Sequence, residues 1–277
     1  MSLIEEVMRR QAHERAAMPG GLAANSGAGA SAARVARSVV APAPEAPIQE
    51  YRPATVDPEA LERNRVLLRV QDVAVSRAYK ILRTRVLHRM TANNWYTLGV
   101  TGTGAGEGKT ITAINLAIAL AQDPNAWVFL VDLDLQRPQL GAYLGMSYEY
   151  GLTDYLTGQA QLEQVVYDIG IKRLAVVPNS SPVETSSEHL RSAKMTDFIN
   201  ALEGQSPRRY VILDMPPINV SDDVLAFAPR VDSFLLIASQ GITARRTLAN
   251  AKEVLSELNV LGVVLNRSTE RNDSPYY

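Results

Sequence analysis

Residues 101–110, TGTGAGEGKT, constrain this chain more than any other stretch, because they join an apolar strand-like run (Trp95 to Val100) to an apolar helical run (Lys109 to Ala121). Glycines at 102, 104, 106 and 108 let consecutive backbone N–H groups turn toward one point, and the helix that follows adds the positive end of its dipole. Gly-Lys-Thr at a strand-to-helix junction reads as a phosphate-binding loop. Gly104, Ala105, Gly106, Glu107 and Gly108 would then cradle the phosphates of a nucleotide, Lys109 would pair with the β and γ phosphates, and the Thr110 hydroxyl would ligate the Mg²⁺ that bridges them. Six residues before Lys109 stands Thr103, where the simplest pattern has Gly, which predicts a variant class of the loop.

What surrounds the loop is limited by composition. Residues 12–60 are dominated by Ala, Gly, Ser and Pro, with prolines at 19, 42, 44, 47, 53 and 58, and such a segment buries too little apolar surface to offset the entropy of ordering. The expected division is a short N-terminal helix with a disordered linker over residues 1–70, one nucleotide-binding domain over 71–268, and a flexible tail over 269–277. Residues 2–16 pattern as a helix with Leu3, Ile4, Val7 and Met8 on one side, a docking element for a partner. The net charge of −1 and the lack of a long basic block argue against a nucleic-acid partner. Cysteine is absent, which removes disulfides and thiolate chemistry together and suits the cytoplasm. No apolar run reaches the roughly 18–20 residues of a membrane span, and the N-terminus lacks the apolar core of a signal peptide, so no direct membrane span is expected.

From Ala74 to Met90 the spacing predicts a helix with Ala78, Ile81, Leu82, Val86 and Leu87 on one face. After the glycine-rich loop, apolar runs at 127–133, 173–177, 210–214, 233–238 and 260–265 alternate with helical stretches. The fold class that follows is α/β: a doubly wound, mostly parallel sheet with helices on both faces, of the P-loop NTPase kind. Ligands bind at the carboxyl ends of the strands in such sheets. One run ends in Asp132 and Asp134, a second in Asp214 followed by Pro216 and Pro217, and a third in Asn266. A lone Asp after a strand is commonly a helix cap or turn residue. Beside a phosphate loop, Asp214 fits a carboxylate that holds Mg²⁺ through water, and Asp132 a second one near the metal. The amide of Asn266 has the donor and the acceptor that recognition of a base edge requires.

With these motifs in this order, the chain resembles the bacterial tyrosine kinases, P-loop autokinases of capsule and exopolysaccharide export related to the MinD and ParA ATPases. The likeness covers about residues 73–268: AGEGKT (Ala105 to Thr110) matches the family's PGxGK[ST], Asp132 and Asp134 match D-x-D, and Asp214 with its prolines matches D-[ST]-P-P. The opening SLIE is similar to the start of the soluble, exosortase-associated branch. The resemblance implies transfer of the γ-phosphate of ATP, with Mg²⁺, to tyrosines of a C-terminal tail, in trans within a ring of subunits. Here the acceptors would be Tyr276 and Tyr277, and Asp134 would accept or orient the tyrosine proton. It also implies a separate membrane-spanning activator of the polysaccharide co-polymerase type, which would recruit a cytoplasmic chain to the inner face of the cell membrane.

The chain departs from the family pattern at several positions. Gln136 and then Arg137 stand where an Arg often follows two residues after D-x-D, and Met215 replaces the usual Ser or Thr. The ring-forming E-x-x-R-x-x-R aligns with Arg77, Lys80 and Arg83, three cations on one helical stripe that repel by roughly 0.2–0.5 kcal/mol per close pair, so homo-oligomerisation through this helix is expected to be weakened. Two other functions compete with the kinase. A MinD- or ParA-type ATPase switch would carry a signature Lys five residues before Lys109, where this chain has Gly104, and a catalytically silent nucleotide-binding regulator would keep the fold without the chemistry.

Overall fold

The computed structural model describes residues 51–203 and 208–269, and the expected N-terminal helix, most of the linker and the terminal tyrosines lie outside them. Among the described residues eight strands form one sheet: β1 (Arg52–Pro53), β2 (Thr97–Gly102), β3 (Ala126–Asp132), β4 (Tyr167–Asp168), β5 (Leu174–Val177), β6 (Arg208–Asp214), β7 (Ser233–Ser239) and β8 (Val260–Asn266). Their spatial order is β1-β4-β5-β3-β6-β2-β7-β8. Every pairing is parallel except β4 with β5. The apolar runs of the sequence are strands because they are short, sharply bounded and rich in β-branched residues. Glycine, proline or an acidic turn punctuates them, and their β-branched residues pack on a pleated surface.

Successive residues of a strand face opposite sides, so one run feeds two cores. Phe129 and Val131 pack on one side with Leu156, Phe198, Phe227 and Leu255, while Val128 and Leu130 pack on the other with Val86, Met90, Leu116 and Leu120. Helices therefore cover both faces, which is the doubly wound arrangement expected. Helix Lys109–Leu120 is the innermost of them: Thr112 to Leu120 are all buried, as an apolar helix without a polar face must be.

Two expectations need correction. The domain does not begin at residue 71. β1 pairs with β4, the Tyr51 ring meets Phe129 edge-on at 5.9 Å, and Ala60, Leu61 and Val66 are buried. Pro58, taken as a linker proline, opens helix Pro58–Arg63, whose N-cap Asp57 accepts the Glu59 amide at 3.0 Å. Proline is well placed there because its missing N–H would be unpaired in the first turn anyway. The second correction concerns the helix at 74–90, which runs from Val73 to Asn93: Val86 is buried and Leu82 and Leu87 pack against the core as expected, but Met90 joins them and Ala78 and Ile81 are exposed. The sequence shows apolar side chains on two sides of this helix, and only packing chooses between them.

Candidate active site

The turn after β2 closes as a compact loop. Gly106 and Gly108 have φ of +74° and +90°, a region where a side chain would be strained, and a Cβ on Gly108 would also collide with the Asn266 amide. Lys109 Nζ donates to the Gly104 carbonyl at 3.2 Å, which holds the ammonium across the mouth of the loop. The Glu107 side chain turns inward and is buried. Its carboxylate accepts the Thr103 amide at 2.6 Å, the Gly104 amide at 3.0 Å and the Thr103 hydroxyl, together with the Thr243 hydroxyl from the segment after β7. Glu107 thus shapes the loop through its side chain, a role that the sequence pattern did not distinguish from its backbone contribution.

Asn266 sits at the end of β8, where Nδ2 donates to the Glu107 carbonyl at 2.9 Å and Oδ1 accepts the Arg267 amide at 2.9 Å. Nδ2 holds the loop, while Oδ1 bonds only the next residue of its own chain.

Three carboxylates converge at the same sheet edge. Asp132 and Asp214 are direct neighbours in the register of β3 and β6, and both are buried. Asp132 Oδ2 accepts the amides of Gln139 at 3.1 Å and Leu140 at 3.0 Å, and Oδ1 accepts the Asp134 amide at 3.2 Å. Asp132 therefore organises the loop that carries Asp134, a turn-capping use of the kind common for an Asp after a strand. Burial and then the Asp214 charge push its carboxyl well above the usual carboxylate range. Asp214 is pushed up to about 7, chiefly by burial, although the Thr110 hydroxyl and the Lys109 ammonium pull it back. Its Oδ1 is buried without a hydrogen-bond partner. A buried carboxylate oxygen left unpaired, with the Thr110 hydroxyl beside the same carboxyl, offers the hard oxygen ligands a divalent cation takes.

Asp134 is half-buried, and its Oδ1 accepts the Arg137 amide at 3.0 Å. Burial and the Asp223 charge raise it, whereas the Arg137 amide and Lys109 lower it, for a net shift upward. The loop after Asp214 folds back onto β2, with the Met215 amide bonding to the Val100 carbonyl at 3.0 Å and the Ile218 amide to that of Gly102 at 2.9 Å. Met215 is buried against Gly99, which explains an apolar residue at that position.

Sequence reasoning missed Asp223. It is buried in the first turn of helix Asp223–Phe227, and the Ser186 hydroxyl donates to it within 2.9 Å. Gln136 Nε2 donates to Ser186 Oγ at 2.9 Å and reaches Asp223 Oδ2 at 3.4 Å. Gln136, noted as a departure, is thus the link between the Asp134 loop and this buried acid. Ser-Asp-Asp before an apolar stretch reads as an ordinary helix start, so no sequence signal marked it.

The structure brings Lys109, Thr110, Asp132, Asp134 and Asp214 to one edge, as expected. The profile of the CobQ/CobB/MinD/ParA nucleotide binding domain matches residues 98–276. The tyrosine-protein kinase CpsD of Streptococcus agalactiae is 31% identical over 176 residues, covering 62% of this chain and 75% of that one. The tyrosine-protein kinase YwqD of Bacillus subtilis is 29% identical over 218 residues, covering 78% of this chain and 91% of its own length. The solved kinase domain of the Escherichia coli tyrosine kinase ETK superposes with a TM-score of 0.64 at 26% identity, over 72% of this chain and 77% of that one. A glycine-rich loop, a buried carboxylate pair and an outer Asp in this order, on this sheet, place the chain in the CobQ/CobB/MinD/ParA nucleotide-binding family and, within it, among the bacterial tyrosine-protein kinases.

Proposed function

We propose that this chain is an ATP-dependent protein-tyrosine kinase that phosphorylates Tyr276 and Tyr277 of a neighbouring copy and regulates exopolysaccharide or capsule polymerisation and export. The observation that carries the proposal is the unpaired, buried Oδ1 of Asp214 beside Thr110 and Lys109, with Asp134 set outside it. Thr110 and Asp214 would hold Mg²⁺. Asp132 would add charge beneath it, its oxygens already accepting three backbone amides. When bound, the ion neutralises charge on the transferred phosphoryl oxygens.

The chain's own residues do the rest. The loop from Gly104 to Gly108 cradles the phosphates of ATP, its Gly104 amide being taken by Glu107, and Lys109 aligns the terminal one. A tyrosine hydroxyl, with a pKa of about 10, is protonated at neutral pH and needs a proton acceptor. Asp134 takes that proton. Its environment raises its proton affinity above that of an ordinary carboxylate, which favours the transfer. Glu107 and Asn266 keep the loop in the receptive shape.

A separate membrane-spanning activator would complete the system at the inner face of the cell membrane, since among the described residues no helix is long and apolar enough to cross a membrane. Incubating the purified chain with γ-labelled ATP and Mg²⁺, with and without the last two residues, tests the reading. Label on protein that depends on Tyr276 and Tyr277 supports it. Free phosphate without labelled protein would favour a switch ATPase, and no turnover even with the activator would favour a silent regulator.

A further inference from the structure

Helix Val73–Asn93 contains no acidic residue. Its N-cap, Asp72, uses its carboxylate on the amides of Ala74 and Val75. Positions 73, 77, 81 and 85 form one row along the outer side, because residues four apart are neighbours on a helix. That row reads Val, Arg, Ile, Arg and is exposed throughout, Val73 at 80% and Ile81 at 46%. Lys80 and His88 flank it and are also exposed. Leu68, just ahead of the helix, is 43% exposed.

Among the described residues these cations are not matched by acids. Among the described residues the only ion pair joins Arg52 to Glu149, so Arg77, Lys80 and Arg85 have no acidic partner there. Arg83 behaves differently: it turns inward and donates to the Ala119 carbonyl at 3.4 Å and to Gln122 Oε1 at 3.1 Å. The outer row is thus a separate feature from the helix's packing contacts.

The alternation decides what fits. A second copy presenting the same face would bring cation against cation, with no acid on either helix. An acidic protein would pair the arginines yet gain little from bare aliphatic side chains placed between them. An interface of anionic phospholipid satisfies both kinds of residue: valine, isoleucine and leucine enter the acyl boundary while arginine and lysine reach the phosphates. We propose that the outer face of helix Val73–Asn93 is a docking surface for an anionic lipid bilayer. The helix lies along the phosphate-loop helix, with Tyr79 beside Thr112 and Asn115, so docking would set the nucleotide site close to the membrane.

The test is co-sedimentation of the full chain with vesicles of phosphatidylcholine alone and of phosphatidylcholine with phosphatidylglycerol, at low and high salt. Binding is expected only with phosphatidylglycerol, and high salt should weaken it. Replacing Arg77, Lys80 and Arg85 together by Gln should weaken partitioning on the order of a hundredfold. Val73→Ser with Ile81→Ser should weaken it about tenfold. Nucleotide binding by both variants should be unchanged, which shows that they fold. Failure to bind either vesicle, or binding indifferent to both variants, overturns the proposal. So does binding of soluble polyglutamate in place of vesicles, which would assign the face to an acidic protein. An oligomer that requires Arg77 and Arg85 while vesicles do not bind would assign it to a second copy.

Discussion

The carboxyl edge of the sheet and the outer face of helix Val73–Asn93 carry opposite charges and hold them in opposite ways. At the sheet edge, Asp132, Asp214 and Asp223 are buried, and the parallel register forces the first two side by side. The fold concentrates these carboxyl groups, at a cost in the free protein that a bound cation would relieve. On the helix, Arg77, Lys80 and Arg85 stand in solvent, where their mutual repulsion is small and screened. Charge that the fold compels has consequences for catalysis and stability, whereas charge that solvent tolerates has consequences only when a partner arrives.

The largest effect should come from Lys109→Met, which removes the cation that meets the phosphoryl charge. Label transfer should fall on the order of 10³-fold. Full activity of that variant would remove Lys109 from the mechanism. Asp134→Asn should reduce transfer roughly 10²-fold while ATP affinity stays within a few-fold, if the group handles a proton and not the nucleotide as proposed. Equal losses in binding and turnover would make Asp134 a binding residue instead.

The buried pair also makes a stability statement. The folded-state pKa of Asp214 is raised to about 7, so the native state holds a proton that the unfolded chain releases near 4. Without metal or nucleotide, the protein should be most stable below pH 4 as far as this group is concerned, and should lose that stability as pH rises from about 4 to 7. Asp214→Asn should stabilise the free protein at pH 8 by roughly 1–3 kcal/mol and flatten this dependence. Urea melts at pH 5 and pH 8 would show it, and a variant less stable at both would mean that the carboxylate is satisfied in solution.

Ser186→Ala should cost about 1–2 kcal/mol, because it strips Asp223 of the hydroxyl that donates to it. A smaller change in melting would mean that water replaces the hydroxyl. Least affected should be Arg77→Glu, expected within about 0.5 kcal/mol of the parent by urea melting, since Arg77 is exposed and forms no ion pair among the described residues. If that substitution destabilises the chain more than Ser186→Ala does, the contrast between compelled and tolerated charge fails.

Much of the site was legible before the fold was known, for a topological reason. In a doubly wound parallel sheet, loops at one edge carry the ligand groups, so polar residues just past apolar runs are delivered there. Asp132, Asp214 and Asn266 were found that way. What each of them does was less legible. Asp132 turned out to cap the loop at 133–140, and Asn266 to hold the Glu107 carbonyl, because the use of a carboxylate or amide depends on which backbone groups packing brings to it. Asp223 carries no strand-end signal at all. It matters because Ser186 and Gln136, at sequence distances of 37 and 87, are brought to it by the fold. Pro58 misled for a related reason: proline marks a disordered linker and a helix start equally well, and burial of Ala60 and Leu61 selects the second.

Local covalent character and the order of residues along the chain determined the phosphate loop, the strand runs and the chemistry available at their ends. Those properties act over a few residues and survive in any fold with this periodicity. The partners of each polar group, the true start of the domain and the side of helix Val73–Asn93 that meets solvent were decided by tertiary structure alone. They depend on which distant segments compete for the same surface, and that competition is settled by packing both faces of one sheet at once.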